Sequence, residues 1–271
     1  MELVDTHCHI QSADNDAVGE ENTRALWAKA DGLTGDDLVA NAAAAGVTRL
    51  LCVGCSLEDS QLAIDFVKTR ENCRASIGIH PHEAAHYADQ PDKLKQFAAL
   101  AGAEKVAAVG ECGFDFYYDH SPKEAQEKLL RFQLELALEH DLPLIFHVRD
   151  AFDDFWRVMG DYHGVRGVIH SFSADRPALD KILEHGLYVG LNGIMTFTKF
   201  ANQLEAAKAV PLDKLLLETD APFLTPTPYR GTINEPKNVR VIAEFLADLR
   251  GETLSELATA TTRNAKALFR L

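Results

Sequence analysis

The chain has 271 residues, of which 46% are hydrophobic and 25% charged, with a formal net charge of −14. That composition supplies apolar material for one substantial core and excludes the fibrous and low-complexity classes. The acidic excess argues against a broad basic track for duplex nucleic acid, whose binding rests on Lys and Arg neutralising phosphates, but leaves room for a phosphate in a pocket where bound cations reverse the local sign.

Glu2 and Asp5 stand where the basic region of a signal peptide would be, no apolar targeting run follows, and no apolar stretch is long enough to span a bilayer. The expected location is cytoplasmic, with no membrane partner. Cys8, Cys52, Cys55, Cys73 and Cys112 are then expected to stay reduced. Cys52 and Cys55 form a C-x-x-C inside an apolar run with no second such pair, so they read as buried thiols before a redox pair or half a zinc site.

Along the chain a short apolar run, a polar punctuation and a longer helical pattern recur. The runs lie at 3–6, 48–53, 75–79, 106–109, 144–148, 165–169, 187–191 and 214–217, and near-continuous apolar segments of this length suit parallel strands covered on both faces. Helical patterns fall at 35–45, 57–70, 121–139, 177–185, 236–249 and 254–268. Ser121, Pro122 and Glu124 predict a capped start for the third of these, and Pro143 can open the fifth strand without disturbing its interior. Eight strands alternating with helices predict a single (β/α)8 TIM-barrel domain over 1–271, with an open doubly wound sheet as the alternative. The polar, acidic stretch 11–34 predicts an extended first βα-loop near the barrel mouth, in which Trp27 either packs the loop down or touches substrate.

The polar residues fall where this fold places its chemistry. His7 and His9 end the first run, His80 the third, Glu111 the fourth, His147 the fifth and His170 the sixth, and Asp220 lies just past the eighth. A lone histidine at a strand end is more often structural than a ligand. Six runs ending in ligand-type groups are another matter, since in a barrel those ends meet at one face. His7 and His9 leave an extended strand on one side, with Cys8 facing away. With Glu111, His147, His170 and Asp220 they make a nitrogen and oxygen set for borderline divalent metals. Six ligands exceed the need of one tetrahedral zinc and predict two ions bridged by Glu111. His82 stands beside His80, and Arg149 lies two residues beyond His147, poised for a phosphate or for a salt bridge to Asp150 or Asp153.

The sequence at this point resembles the TatD family of metal-dependent deoxyribonucleases, within the wider amidohydrolase-like hydrolases. The likeness rests on Asp5-Thr6-His7-Cys8-His9, Gly78-Ile79-His80-Pro81-His82 and Val109-Gly110-Glu111-Cys112-Gly113-Phe114-Asp115. It continues through Pro143-Leu144-Ile145-Phe146-His147-Val148-Arg149-Asp150-Ala151, His170-Ser171-Phe172 and Leu217-Glu218-Thr219-Asp220-Ala221-Pro222, then Pro228-Tyr229-Arg230-Gly231, Asn234-Glu235-Pro236 and Asn264.

The resemblance implies a TIM barrel with two divalent ions (Mg, Mn or Zn) and 3′-to-5′ exonuclease action on DNA, probed best with single-stranded or 3′-ended strands. It implies metal ligation by His7, His9, Glu111, His147, His170 and Asp220, with Glu111 and Asp220 catalytic, and places His80, Arg149 and Glu218 around the substrate phosphate. The chain departs from the pattern in a longer segment after His9 and in Thr232-Ile233, where a basic pair usually follows Tyr-Arg-Gly. Two other readings stay open: an ester hydrolase of the D-aminoacyl-tRNA deacylase kind on the same metal site, and a non-catalytic barrel serving as a binding module. The second would be expected to have lost ligands, and here all six are present.

Overall fold

Each of the eight apolar runs becomes a strand in the computed structural model, which describes residues 1–14, 21–30, 32–118 and 120–271. The strands β1 (Leu3–Cys8), β2 (Val47–Val53), β3 (Cys73–Ile77), β4 (Val106–Asp115), β5 (Leu144–Arg149), β6 (Gly167–Ile169), β7 (Tyr188–Leu191) and β8 (Leu215–Leu217) pair in sequence order, every neighbour parallel. The seam between β8 and β1 is closed by Thr6 Oγ1 donating to the Leu217 carbonyl at 3.0 Å. Just above it, Asp220 N donates to His7 O and His9 N to Ala221 O, both at 2.8 Å. The sheet therefore curls into a barrel, and the open alternative is set aside.

Between the strands run α1 (Glu21–Trp27), α2 (Gly35–Ala44), α3 (Leu57–Lys68), α4 (Pro91–Ala98), α5 (Lys123–Glu139), α6 (Phe152–Met159), α7 (Arg176–Glu184) and α8 (Ala201–Ala209), and α9 (Val239–Arg250) and α10 (Leu254–Phe269) close the chain. Strand alternation divides the core in two. One set, including Val4, Leu51, Val53, Ile145, Val168 and Leu216, fills the lumen and meets Ala265, Leu268 and Phe269 of α10 at its lower end. The other, including Leu50, Phe146 and Ile169, packs outward under the helices. Asn264 of α10 fastens this floor by donating to the carbonyls of Leu212 and Leu215, both at 2.9 Å. No helix among the described residues is long and apolar enough to cross a membrane.

The structure departs from the sequence reading at four places. Strand β4 runs on to Asp115, because Cys112, Gly113, Phe114 and Asp115 pair with Phe146, His147, Val148 and Arg149. Helices α4, α6 and α8 occupy stretches that carried no predicted element. Ser121 does not cap α5, which starts at Lys123 with Pro122 as its flanking residue. Its hydroxyl instead donates to His82 O at 2.6 Å and accepts from Ala85 N at 3.0 Å. Finally, the first βα-loop contains a 3-10 turn at Ile10–Ser12 and helix α1, while residues 15–20 and 31 of that segment lie outside the described residues. Trp27 is 4% exposed and donates its indole N–H to His9 O at 2.9 Å, so it packs the loop onto β1.

Candidate metal centre

The lumen positions that are apolar low in the barrel turn polar one step higher. Ile145 is followed on the same side of β5 by His147, and Val168 on the same side of β6 by His170. On β1, His7 and His9 share a side as the spacing predicts, with their Nε2 atoms 3.2 Å apart, while Cys8 turns away and donates to Leu51 O. Asp5 anchors this end of β1, accepting from His7 N at 3.2 Å, Thr219 N at 2.9 Å and Thr219 Oγ1 at 2.5 Å. Gly78 is required beneath the centre, because a Cβ there would run into the Gly110–Glu111 peptide and displace Glu111.

Glu111, 3% exposed, is the hub. Its Oε2 lies 3.3 Å from His7 Nε2. Its Oε1 lies 2.6 Å from His147 Nδ1, 3.0 Å from His170 Nε2 and 3.6 Å from His80 Nε2. Asp220 Oδ1 completes the ring at 3.3 Å from His9 Nε2 and 3.7 Å from His7 Nε2. His7, His170 and Glu218 have ligand atoms within 4.8 Å of one another, and so do two groups that overlap at the centre, His7 with His9 and Glu111, and His80 with Glu111 and His147. Glu111 belongs to both. The cluster forms the floor of a cavity of about 1270 Å³ that opens at the carboxyl ends of the strands.

The electrostatics fit a cation. Burial and the neighbouring His170 lower the pKa of His7, and burial lowers that of His80 to about 4, so both rings present lone pairs at neutral pH. Burial pushes His9 the same way, but the hydrogen bond it donates to Asp220 outweighs it and lifts His9 to about 9. Glu111 stays well below the carboxylate range despite burial, because His170, His80 and His7 surround it. Two facing imidazole nitrogens 3.2 Å apart need either a proton or a metal ion between them. The Nδ1 atom of His7 is buried with no hydrogen-bond partner among the described residues. Converging imidazole and carboxylate donors around shared positive charge suit a divalent ion of the borderline class.

The remaining predicted residues divide. His80 lines the cavity beside Glu111. Arg149 also lines it, but its guanidinium lies over the Tyr117 ring at 4.0 Å and near the Tyr118 ring at 4.9 Å, not on Asp150 or Asp153. Glu218 stands behind His170. It is 1% exposed and does not reach the cavity wall, sitting 3.3 Å from His170 Nδ1 and accepting from Ser171 N at 2.5 Å. Gly190 makes room for it, since a Cβ there would overlap the Glu218 carboxylate. All five cysteines are buried thiols. Cys55 lines the cavity and forms a further ligand-type group with His9 and Asp59.

The sequence reading did not single out Asp115. Its Oδ2 lies 2.9 Å from His147 Nε2 and 3.0 Å from His82 Nε2, and its Oδ1 accepts from the backbone of Tyr117 at 3.0 Å and Tyr118 at 2.9 Å. Burial pushes this carboxyl up, and the hydrogen bonds from His147 and His82 hold it well below the usual range. The signal was its spacing, four residues beyond Glu111 and on the same side of an extended strand.

Residues 4–270 match the family model described as TatD related DNase. The chain is 35% identical, over 100% of its length and 97% of the relative, to a metal-dependent hydrolase named YcfH from Escherichia coli (strain K12). It is 36% identical, over 86% of its length and 91% of the relative, to a protein named 3′-5′ ssDNA/RNA exonuclease TatD from Citrobacter rodentium. Among solved structures, a TatD homologue from Escherichia coli named YJJV superposes with a TM-score of 0.86 at 27% identity, covering 99% of this chain and 98% of that one.

Proposed function

The chain belongs to the TatD related DNase family of metal-dependent hydrolases, and from that premise we propose that it removes nucleotides from the 3′ end of single-stranded nucleic acid. The observation that carries the reading is the convergence of His9, His147, His170, Glu111 and Asp220 on the floor of one cavity, with buried His7 directly beneath them against Glu111. In this reading the whole chain, 1–271, acts as one catalytic domain, and its oligomeric state is not needed for the chemistry.

Two ions would be held, one by His7, His9 and Asp220 and one by His147 and His170, with Glu111 shared between them. Bound there, they would supply Lewis-acid charge and a water acidified toward neutral pH. The rest of the work falls to the chain. Asp220, a carboxylate kept below its ordinary pKa against burial by the His9 hydrogen bond, is ionised at neutral pH and accepts the proton of the attacking water. Glu111 fixes four rings at once. Asp115 holds the outer nitrogen of His147 and so sets which nitrogen faces the centre. Arg149, at the cavity wall, swings from Tyr117 to pair with non-bridging phosphate oxygens. Glu218 orients His170 from behind.

The net charge of −14 supports a strand end over a duplex track. So does the loop after β8, where Thr232 and Ile233 replace the basic pair and Thr232 is spent on Thr225 and Tyr229. The test is a side-by-side assay. Chelated protein, with Mg, Mn or Zn restored, is offered linear single-stranded DNA, circular single-stranded DNA, duplex, RNA and D-aminoacyl-tRNA. The expected result is stepwise release of nucleotides from linear single strands. Equal loss of circular DNA would overturn the end-directed reading, and preference for the aminoacyl ester would replace it with deacylation.

A further inference from the structure

Among the described residues six large hydrophobic side chains are exposed, and three of them, Tyr117 (58%), Tyr118 (43%) and Phe200 (65%), stand on the wall of the metal cavity. Exposed aromatics cost free energy unless something covers them, and here they are gathered at the site rather than scattered. We infer that Tyr117 and Tyr118 on one wall, with Phe200 on another, are stacking platforms for the unpaired bases of the strand whose terminal phosphodiester lies at the metal centre. This inference rests on the reading of the substrate as single-stranded nucleic acid and deepens it.

Three observations support it. The tyrosine pair is rigidly registered to the chemistry. Asp115 Oδ1 takes the backbone N–H groups of both residues, while its Oδ2 holds His147. The rings also lie edge to face, with centroids 4.8 Å apart, and Arg149, now over the Tyr117 ring, frees that face when it turns to the phosphate. Phe200 follows β7, three strands round the barrel from the turn after β4 that carries the tyrosines, so a strand entering the cavity passes between two aromatic walls. Charge explains the need. A chain at −14 gains no long-range attraction for a polyanion, so base stacking, which any base can make and a duplex cannot, adds to the hold of the metal centre and Arg149 on the terminal phosphate.

The experiment compares a linear single-stranded oligonucleotide with the same strand carrying abasic residues next to the 3′ terminus, measuring KM and kcat separately for each. For the wild type, KM should be at least about fivefold higher on the abasic strand. Tyr117→Ala and, independently, Phe200→Ala should raise KM by at least about fivefold on the normal strand and little on the abasic one, so that the preference for bases collapses. Tyr117→Phe keeps the ring and should retain the preference, and thermal melting of each variant checks that it folds. If the wild type digests both strands with equal KM, or if either alanine variant loses equally on both, stacking is refuted while the nuclease reading stands. If the wild type digests no strand at all, the nuclease reading itself fails and takes this inference with it.

Discussion

His147 and Asp115 are joined at 2.9 Å, Nε2 to Oδ2, across the pairing of β5 with β4, and this contact leaves Nδ1 of the same ring facing Glu111 at 2.6 Å. One strand thus carries both the carboxylate at the centre and the one that orients its histidine. Asp115→Asn keeps the shape but gives up the anionic acceptor for His147 and His82. Metal content or turnover should fall by about 10–100-fold. Elemental analysis of the purified variant beside its turnover number checks this, and unchanged values for both would show that Asp115 only shapes the turn.

Glu111→Ala removes the group that four imidazoles share. Activity should be abolished and bound metal reduced, with the fold preserved, since the side chain packs in no apolar layer. A correctly folded Glu111→Ala protein that hydrolyses substrate at near wild-type rate would end the account in which one carboxylate serves both ions. Chelation of the wild type should inactivate it reversibly, and a divalent ion should restore it.

The barrel was legible because both faces of a parallel strand are covered, so each strand reads as an apolar run with little alternation. The same logic shortened β4. Glu111 and Asp115 interrupt the apolar run because they face the centre, Gly110 and Gly113 because a Cβ there would collide with the β5 backbone at Ile145 and His147, and a strand that carries the site looks like a loop. Helix α8 escaped notice because it buries only Ala206 and Ala207, and α4 because Phe97 is its single buried side chain. The six ligand-type residues could be named because each ends or closely follows a run. Glu218 could not be placed behind His170 from spacing alone. Parity sets it on the side of Asp220, but Asp220 has φ +60°, so the regular alternation stops there.

Stability at acid pH has an identifiable contributor far from the centre. Arg157 and Arg131 hydrogen-bond the Glu127 carboxylate on the outer face of α5 and hold its pKa down to about 2. A carboxylate depressed on folding stabilises the protein above its unfolded pKa of about 4.5 and loses that contribution as pH falls toward about 2. Glu127→Gln should therefore lower the melting temperature slightly at pH 6, and the difference should shrink steadily by pH 3. Solvent and salt screen the group, so the effect should also diminish in 1 M salt. A difference that grows on acidification would reverse the sign of the argument.

Arg149 separates attack on phosphorus from attack on an ester carbon. Its guanidinium lies over Tyr117 at the cavity wall, not on a neighbouring carboxylate, so it can turn to a substrate without breaking an ion pair with Asp150 or Asp153. A guanidinium meets two phosphate oxygens with a planar fork, whereas an ammonium offers a point charge. Arg149→Lys thus keeps the charge and removes the geometry. For a phosphodiester substrate turnover should fall about tenfold or more, equivalent to roughly 1.4 kcal/mol of transition-state stabilisation. Metal content should stay at the wild-type level, because Arg149 is no ligand. An aminoacyl ester offers no such pair of oxygens at its reacting carbon, and its hydrolysis should change less. Nuclease turnover unaltered in Arg149→Lys would remove this residue from the chemistry, and loss of metal would make its role structural.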